Sequence, residues 1–134
     1  MSDRTHNAAA RLALIIDDTE VVRSLLTEAL SDRGFEVATA RNAGDGIAKA
    51  TQLRPGLVFC DTYMPDMHGV DAVKRIREIT PDAIVVMTNS LPDEGFERRN
   101  ESGADYLLNK PFSLDELWDI LAKIRVQLQE RLPG

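Results

Sequence analysis

Short apolar runs alternate along the chain with longer segments in which apolar residues recur at helical spacing. Four apolar runs cover residues 12–16, 57–60, 84–87 and 106–108, and a fifth strand is predicted over 35–40 from its β-branched and aromatic residues. They are too apolar to have a face in water, which is typical of strands buried in a parallel sheet. The alternation therefore predicts an α/β fold, a doubly wound five-stranded parallel sheet with helices on both faces in the order (βα)5.

The segments between the runs carry signals for helix starts and stops. Thr19 and Ser113 are predicted to cap the first and last helices, and Gly34 is predicted to stop the first. The helices between them are expected over about 42–53, 70–79 and 93–102. The last helix keeps its apolar spacing through Leu128. The predicted organisation is a flexible tail over 1–11, one domain over 12–126, and an extension of the last helix over 127–134.

Composition narrows the classes of function. The 134 residues include 22 acidic and 16 basic side chains, and the net charge of -6 argues against nucleic-acid binding, which needs a basic surface. No apolar run approaches the ~18 residues of a membrane span, so we expect no membrane insertion. Cys60 is the single cysteine, which excludes an intrachain disulfide. These features favour the cytoplasm.

Chemically capable residues stand at the ends of four predicted strands. Asp17 and Asp18 follow the first strand, Asp61 the third and Thr88 the fourth, while Lys110 comes shortly after the fifth. Ligands bind at the carboxyl ends of strands in open α/β sheets, so these side chains are expected to converge. Three carboxylates in one cleft favour a hard divalent cation, Mg²⁺, with Mn²⁺ as a substitute. A carboxylate, a lysine, a hydroxyl and Mg²⁺ together suit phosphoryl transfer, in which an aspartate is itself a competent nucleophile.

Several motifs in order extend this pattern over nearly the whole chain. They are IIDD at 15–18, DTYMPDMHG at 61–69, IVVMT at 84–88, GAD at 103–105 and KPF at 110–112. Together they resemble the receiver domain of two-component response regulators over about residues 12–126. The resemblance implies the flavodoxin-like strand order 2-1-3-4-5 known for this family. It also implies a stand-alone, single-domain response regulator.

The resemblance assigns roles to the residues at the strand ends. Asp61 would accept a phosphoryl group from a phosphohistidine on a histidine kinase or a histidine phosphotransfer protein. Lys110 and Thr88 would contact the phosphoryl oxygens. The implied metal ligands are Asp17 (mainly through water), Asp18, Asp61 and the main-chain carbonyl of Tyr63. Such a protein catalyses its own phosphorylation and dephosphorylation and is not a conventional turnover enzyme.

The resemblance also implies a switch. Movement of Thr88 toward the phosphoryl group would bias the face formed by the fourth helix, fifth strand and fifth helix, which would bind a downstream protein target. The expected oligomeric state is a monomer or a weak dimer through that face. Leu107 stands where the family often has an aromatic residue, and Tyr106 precedes it, so both are candidate switch residues.

Three residues around the predicted site are expected to modulate access to the phosphoryl group: Tyr63, Asn89 and Ser90. Asn89 departs from the family pattern, which usually has Ala or Gly there, and a larger side chain would narrow the entrance.

Other functions stay open at this point. The chain could be a phosphorelay intermediate that passes the phosphoryl group on, or a receiver-like adaptor that works without phosphorylation. An aspartyl-phosphate phosphatase would need a second Asp two residues after the nucleophile, where Tyr63 stands. A flavin-binding module is disfavoured because Asp17 and Asp18 would repel a phosphate.

Overall fold

A single parallel sheet organises the chain, in a computed structural model that describes residues 11–131. The strand order is β2-β1-β3-β4-β5, and each neighbouring pair is parallel, which confirms the predicted doubly wound fold. The strands are β1 (Leu12–Ile16), β2 (Glu36–Ala40), β3 (Leu57–Asp61), β4 (Ile84–Asn89) and β5 (Tyr106–Asn109). The helices are α1 (Glu20–Asp32), α2 (Ala43–Leu53), α3 (Gly69–Ile79), α4 (Pro92–Ser102) and α5 (Leu114–Arg131).

Three strands, β3, β4 and β5, extend further toward their carboxyl ends than the apolar runs predicted. Asp61 belongs to β3 and pairs with Thr88, while Asn89 ends β4 and pairs with Asn109 at the end of β5. These residues are polar, so apolar content alone placed the strand ends too early. Three functional candidates therefore sit on the ladder of the sheet, where hydrogen bonds fix their backbones.

Two apolar layers cover the two faces of the sheet. On one face, Leu26 of α1 and Leu117 of α5 pack with Ile15 and Phe59 of the strands. On the other face, α2 and α3 pack through residues such as Ile76 against alternate positions of the same strands. Successive strand residues point to opposite faces, so both layers draw on every central strand. The central strands are consequently buried on both sides, as the apolar runs predicted.

The helix starts differ in part from prediction. Ser113 caps α5 as expected, with its hydroxyl accepting from the Glu116 amide at 3.1 Å. The Thr19 side chain makes no capping bond to α1, so that prediction is wrong; its hydroxyl is instead 3.5 Å from an Asp18 carboxylate oxygen. His68 caps α3, because its Nδ1 accepts from the Val70 amide at 3.2 Å.

The described residues cover the predicted ends of the chain only in part. The tail expected over 1–11 lies outside the described residues except for its last position. The helical extension is present as far as Arg131 in α5, and the remaining three residues of the predicted extension also lie outside. Across residues 11–131, none of the helices combines the length and apolar content that a bilayer crossing requires.

Candidate functional site

The carboxyl end of β1 supplies two of the acidic groups. Asp17 is 1% exposed and Asp18 is exposed at the surface. Both oxygens of the Asp17 carboxylate are engaged: Oδ1 accepts from the Thr19 amide at 2.9 Å, and Oδ2 accepts from Nζ of Lys110 at 2.7 Å. The guanidinium of Arg23 on α1 donates to the Asp17 carbonyl at 2.9 Å. Asp17 is thus held by three hydrogen bonds, while Asp18 is open to solvent.

Asp61 lies beside them at the end of β3, and its carboxylate has fewer hydrogen-bond partners than that of Asp17. Its Oδ2 is 3.6 Å from Nζ of Lys110. Its Oδ1 is buried and has no hydrogen-bond partner among the described residues. A buried carboxylate oxygen without a partner is costly, and in native proteins it commonly marks a place for an ion or a ligand. Asp61 therefore has one oxygen directed at Lys110 and one left over for chemistry.

The three carboxylates form a cluster with the geometry of a cation site. One oxygen from each of Asp17, Asp18 and Asp61 lies within 4.8 Å of the others. Carboxylate oxygens are the ligands that Mg²⁺ prefers, and Mg²⁺ sites use only one or two of them with water and phosphate completing the shell. The unpartnered Oδ1 of Asp61 and the exposed Asp18 give a donor set that fits such an ion.

Electrostatics reinforce the need for a counter-charge. The pKa of Asp61 is raised from its ordinary value of 3.8 to about 6, and burial is the largest cause. The charges of Asp17 and Asp18 contribute to this rise, while Lys110 and a hydrogen bond from the Tyr63 backbone oppose it. Lys110, with its side chain 16% exposed, is thus shared between two carboxylates. One ammonium group does not balance three acids, so the site attracts additional positive charge.

Thr88 stands opposite Asp61 in the sheet, 1% exposed. Its backbone is fixed by Thr62, whose amide and hydroxyl both donate to the Thr88 carbonyl, at 2.9 and 3.0 Å. Sequence reasoning assigned no role to Thr62. Its fully buried hydroxyl ties the residue after the candidate acceptor to the candidate phosphoryl contact.

The loop between β3 and α3 is shaped by a glycine and an aspartate. A Cβ on Gly69 would lie 2.7 Å from both the Cα and the carbonyl oxygen of Thr62, so only glycine lets α3 start this close to the strand end. Asp66 reaches across to α2, where its two oxygens accept from the amides of Ala43 and Gly44, each at 2.9 Å. These bonds lower the pKa of Asp66. The loop that carries the Tyr63 carbonyl is thereby anchored to α2.

The side chain of Tyr63 is exposed and contacts α4 and the loop before α3. Its hydroxyl donates to a carboxylate oxygen of Glu94 on α4, and its ring meets the His68 ring edge-on, with centroids 4.9 Å apart. Ser90, directly after β4, is exposed. Both residues lie where a role in access is reasonable, and that role stays a prediction.

Asn89 is placed differently from the entrance residue that sequence reasoning described. It is fully buried, and its amide nitrogen donates to the Leu91 carbonyl before α4 and, at 3.3 Å, to Oδ1 of Asn109. The candidate switch residues lie on opposite faces of β5: Leu107 packs with the layer under α2 and α3, while the Tyr106 hydroxyl donates to Gln127 of α5. Their switching role stays a prediction.

Comparison with known proteins agrees with this geometry. Residues 13–122 match the family model of the response regulator receiver domain. The chemotaxis protein CheY of Thermotoga maritima is 31% identical over 113 residues, which are 83% of this chain and 94% of that protein.

Two solved structures show the same likeness. A CheY-like response regulator receiver domain protein from Methanospirillum hungatei superposes with a TM-score of 0.77 at 28% identity, covering 90% of this chain and 95% of that one. The response regulator TrrA from Thermotoga maritima, in complex with Mg²⁺ and beryllofluoride, gives 0.76 at 28% identity, covering 85% and 98%. The fold, the acidic cluster beside Lys110 and these matches lead to one conclusion: the chain belongs to the response regulator receiver domain family of two-component signalling proteins.

Proposed function

We propose that this protein accepts a phosphoryl group on Asp61 in a Mg²⁺-dependent reaction and uses it to switch the binding of a protein partner. One observation carries the proposal: Asp61 is a buried member of the acidic cluster, beside Lys110, with its Oδ1 left without a hydrogen-bond partner among the described residues. The buried Asp17 is already bonded through both oxygens, and Asp18 is exposed. Asp61 is therefore both buried from water and left with a free oxygen, as a nucleophile requires.

The cation would be held by Asp18 and Asp61, by Asp17 mainly through water, and by the main-chain carbonyl of Tyr63. When bound, Mg²⁺ neutralises the carboxylates and the phosphoryl oxygens, and Mn²⁺ is a suitable substitute. The structure of the similar protein TrrA in complex with Mg²⁺ and beryllofluoride supports the choice of cation.

The donor is a phosphohistidine on a histidine kinase or a histidine phosphotransfer protein. A carboxylate oxygen of Asp61 attacks phosphorus, the new O–P bond forms as the P–N bond breaks, and the imidazole nitrogen leaves with the electron pair. Lys110 and the Thr88 hydroxyl contact the phosphoryl oxygens, where positive charge and a donor stabilise the developing charge. The protein promotes this step and the later hydrolysis on itself and turns over no separate substrate.

The product carries about -1.5 to -2 added charge and three acceptor oxygens. Thr88 moves toward them, and the face of α4, β5 and α5 shifts between two arrangements with different affinity for a downstream protein. Tyr106 and Leu107 take part in that shift, while Tyr63 and Ser90 control access to the phosphoryl group. The protein acts in the cytoplasm as a monomer or as a weak dimer through the same face, without nucleic-acid or membrane binding.

Incorporation of phosphoryl groups tests the proposal. The protein is incubated with Mg²⁺ and a phosphorylated histidine kinase domain, or with acetyl phosphate, and acid-stable, base-labile incorporation is measured by intact mass. We expect one phosphoryl group per chain, none in EDTA and none in Asp61→Asn. Equal incorporation in Asp61→Asn refutes Asp61 as the acceptor, because the phosphoryl group then sits on another residue. No incorporation with any donor refutes the proposal and leaves a phosphorylation-independent adaptor. Return of the group to a phosphotransfer protein would identify a relay intermediate.

A further inference from the structure

Two asparagines flank the candidate phosphoryl contacts on adjacent strands. Asn89 follows Thr88 at the end of β4, and Asn109 precedes Lys110 at the end of β5; the two asparagines are paired in the sheet. The Lys110 amide donates to the Asn89 carbonyl at 2.7 Å. A displacement of Thr88 or Lys110 is therefore transmitted directly to this pair.

The side chains of the pair reach α4. The fully buried amide of Asn89 donates to the carbonyl of Leu91, the residue before the helix, and to Oδ1 of Asn109 at 3.3 Å. On the helix, a Cβ at Gly95 would lie 2.7 Å from Oδ1 of Asn109 and 2.9 Å from Nδ2 of Asn89. The backbone of α4 thus rests on the amide pair, and only glycine permits that contact.

The pair is incompletely satisfied in this arrangement. Oδ1 of Asn89 is buried and has no hydrogen-bond partner among the described residues. A buried amide oxygen without a partner destabilises the fold, and an apolar residue at this position would avoid that cost. Two facing amides make two hydrogen bonds when each donates to the other, whereas here they share one long bond. Better pairing would require a second arrangement of the same two side chains.

We infer that Asn89 and Asn109 form an amide clasp that couples the positions of Thr88 and Lys110 to the start of α4. When the two phosphoryl contacts are drawn inward, the strand ends shift, the amides pair more completely, and the bond from Asn89 to Leu91 weakens. The helix then moves relative to β4 and β5. Both asparagines are positioning residues, and the inference rests on the proposed function of Asp61.

Hydrogen exchange tests the clasp. Amide exchange over α4 is measured with Mg²⁺ alone and with Mg²⁺ and saturating beryllofluoride as the phosphoryl mimic, in the parent protein and in Asn89→Ala, Asn109→Ala and the double variant. We expect beryllofluoride to change α4 exchange in the parent. In each single variant that change falls at least threefold, and the double variant loses no more. A merely structural role alters exchange equally in both states, so the difference between states is the deciding quantity.

Controls separate the possible failures. Asn100→Ala removes an exposed amide from the same helix and is expected to keep the parent response. Gly95→Ala displaces α4 from the pair and should lose the response, which provides a second route if Asn89→Ala does not fold. Three results would overturn the clasp alone. They are a parent-like exchange response in the single variants, additive losses of that response in the double variant, and an α4 in the parent that does not respond although beryllofluoride binds. A parent that binds no beryllofluoride with Mg²⁺ overturns the function of Asp61 and the clasp with it.

Discussion

Replacing Asp61 by Asn is expected to stabilise the metal-free protein at pH 8. The carboxylate is buried, one oxygen is unpartnered, and its pKa is raised from 3.8 to about 6. Because the folded state binds the proton more tightly than the unfolded state, stability falls as pH rises from about 4 to about 6. Above that window the whole penalty is present, and below it the penalty is absent.

The size of the effect follows from the shift. Each pKa unit is worth about 1.4 kcal/mol, and water at the mouth of the site screens part of it, so the charged Asp61 costs on the order of 2 kcal/mol. Asn removes that charge, loses the 3.6 Å approach to Lys110 and weakens the hydrogen bond from the Tyr63 backbone. We expect a gain on the order of 1 to 2 kcal/mol at pH 8 in EDTA, and no gain at pH 4.

Urea denaturation in EDTA and in excess Mg²⁺ measures both parts of the argument. Mg²⁺ should stabilise the parent and leave Asp61→Asn nearly unchanged, since an ion that binds only the folded state adds stability. Asp66→Asn is the matched control with the opposite sign: its pKa is lowered by two helix amides, so the substitution should destabilise the protein at pH 8. Loss of stability in Asp61→Asn at pH 8 in EDTA would refute the reasoning.

Three further predictions concern the sheet and the loops around the site. Asp105→Ala leaves the Val85 amide, now 2.8 Å from the carboxylate, without its acceptor and should lower the free energy of unfolding by about 2 kcal/mol in urea; a change below about 0.5 kcal/mol contradicts it. Gly69→Ala forces α3 away from the strand end and should cost about 2 kcal/mol while weakening Mg²⁺ binding, measured by calorimetry; unchanged Mg²⁺ affinity would speak against the proposed metal loop. Tyr63→Phe removes the bond to Glu94 and should speed amide exchange at the start of α4, with under about 1 kcal/mol lost in global stability; parent-like exchange would show that this bond does not hold the helix.

The sheet could be predicted from the sequence because its three central strands are apolar over most of their length. The ends of β3, β4 and β5 could not, since Asp61, Asn89 and Asn109 are polar residues held in the ladder by pairing with a neighbouring strand. A polar residue indicates the end of a strand only where the strand also leaves the buried part of the sheet. Here burial continues, because helices and loops cover the polar residues as well.

The acidic cluster was predictable for a related reason: parallel strands bring their carboxyl ends to one edge. The supporting contacts were not. Asp66 lies 23 residues from Ala43 and caps α2 across space, and no local pattern indicates that bond. The same holds for the buried amide of Asn89, whose partners on α4 and β5 come together only in the folded chain.

The most direct test of the central claim is to identify the phosphorylated residue itself. The protein is phosphorylated with Mg²⁺ and a phosphohistidine donor, then reduced with borohydride, which converts an acyl phosphate to an alcohol, and the position is read by peptide mass spectrometry. The account predicts homoserine at position 61 in the Mg²⁺ sample and none in EDTA. Reduction at Asp17 or Asp18, or at no aspartate although phosphate is incorporated, would contradict it.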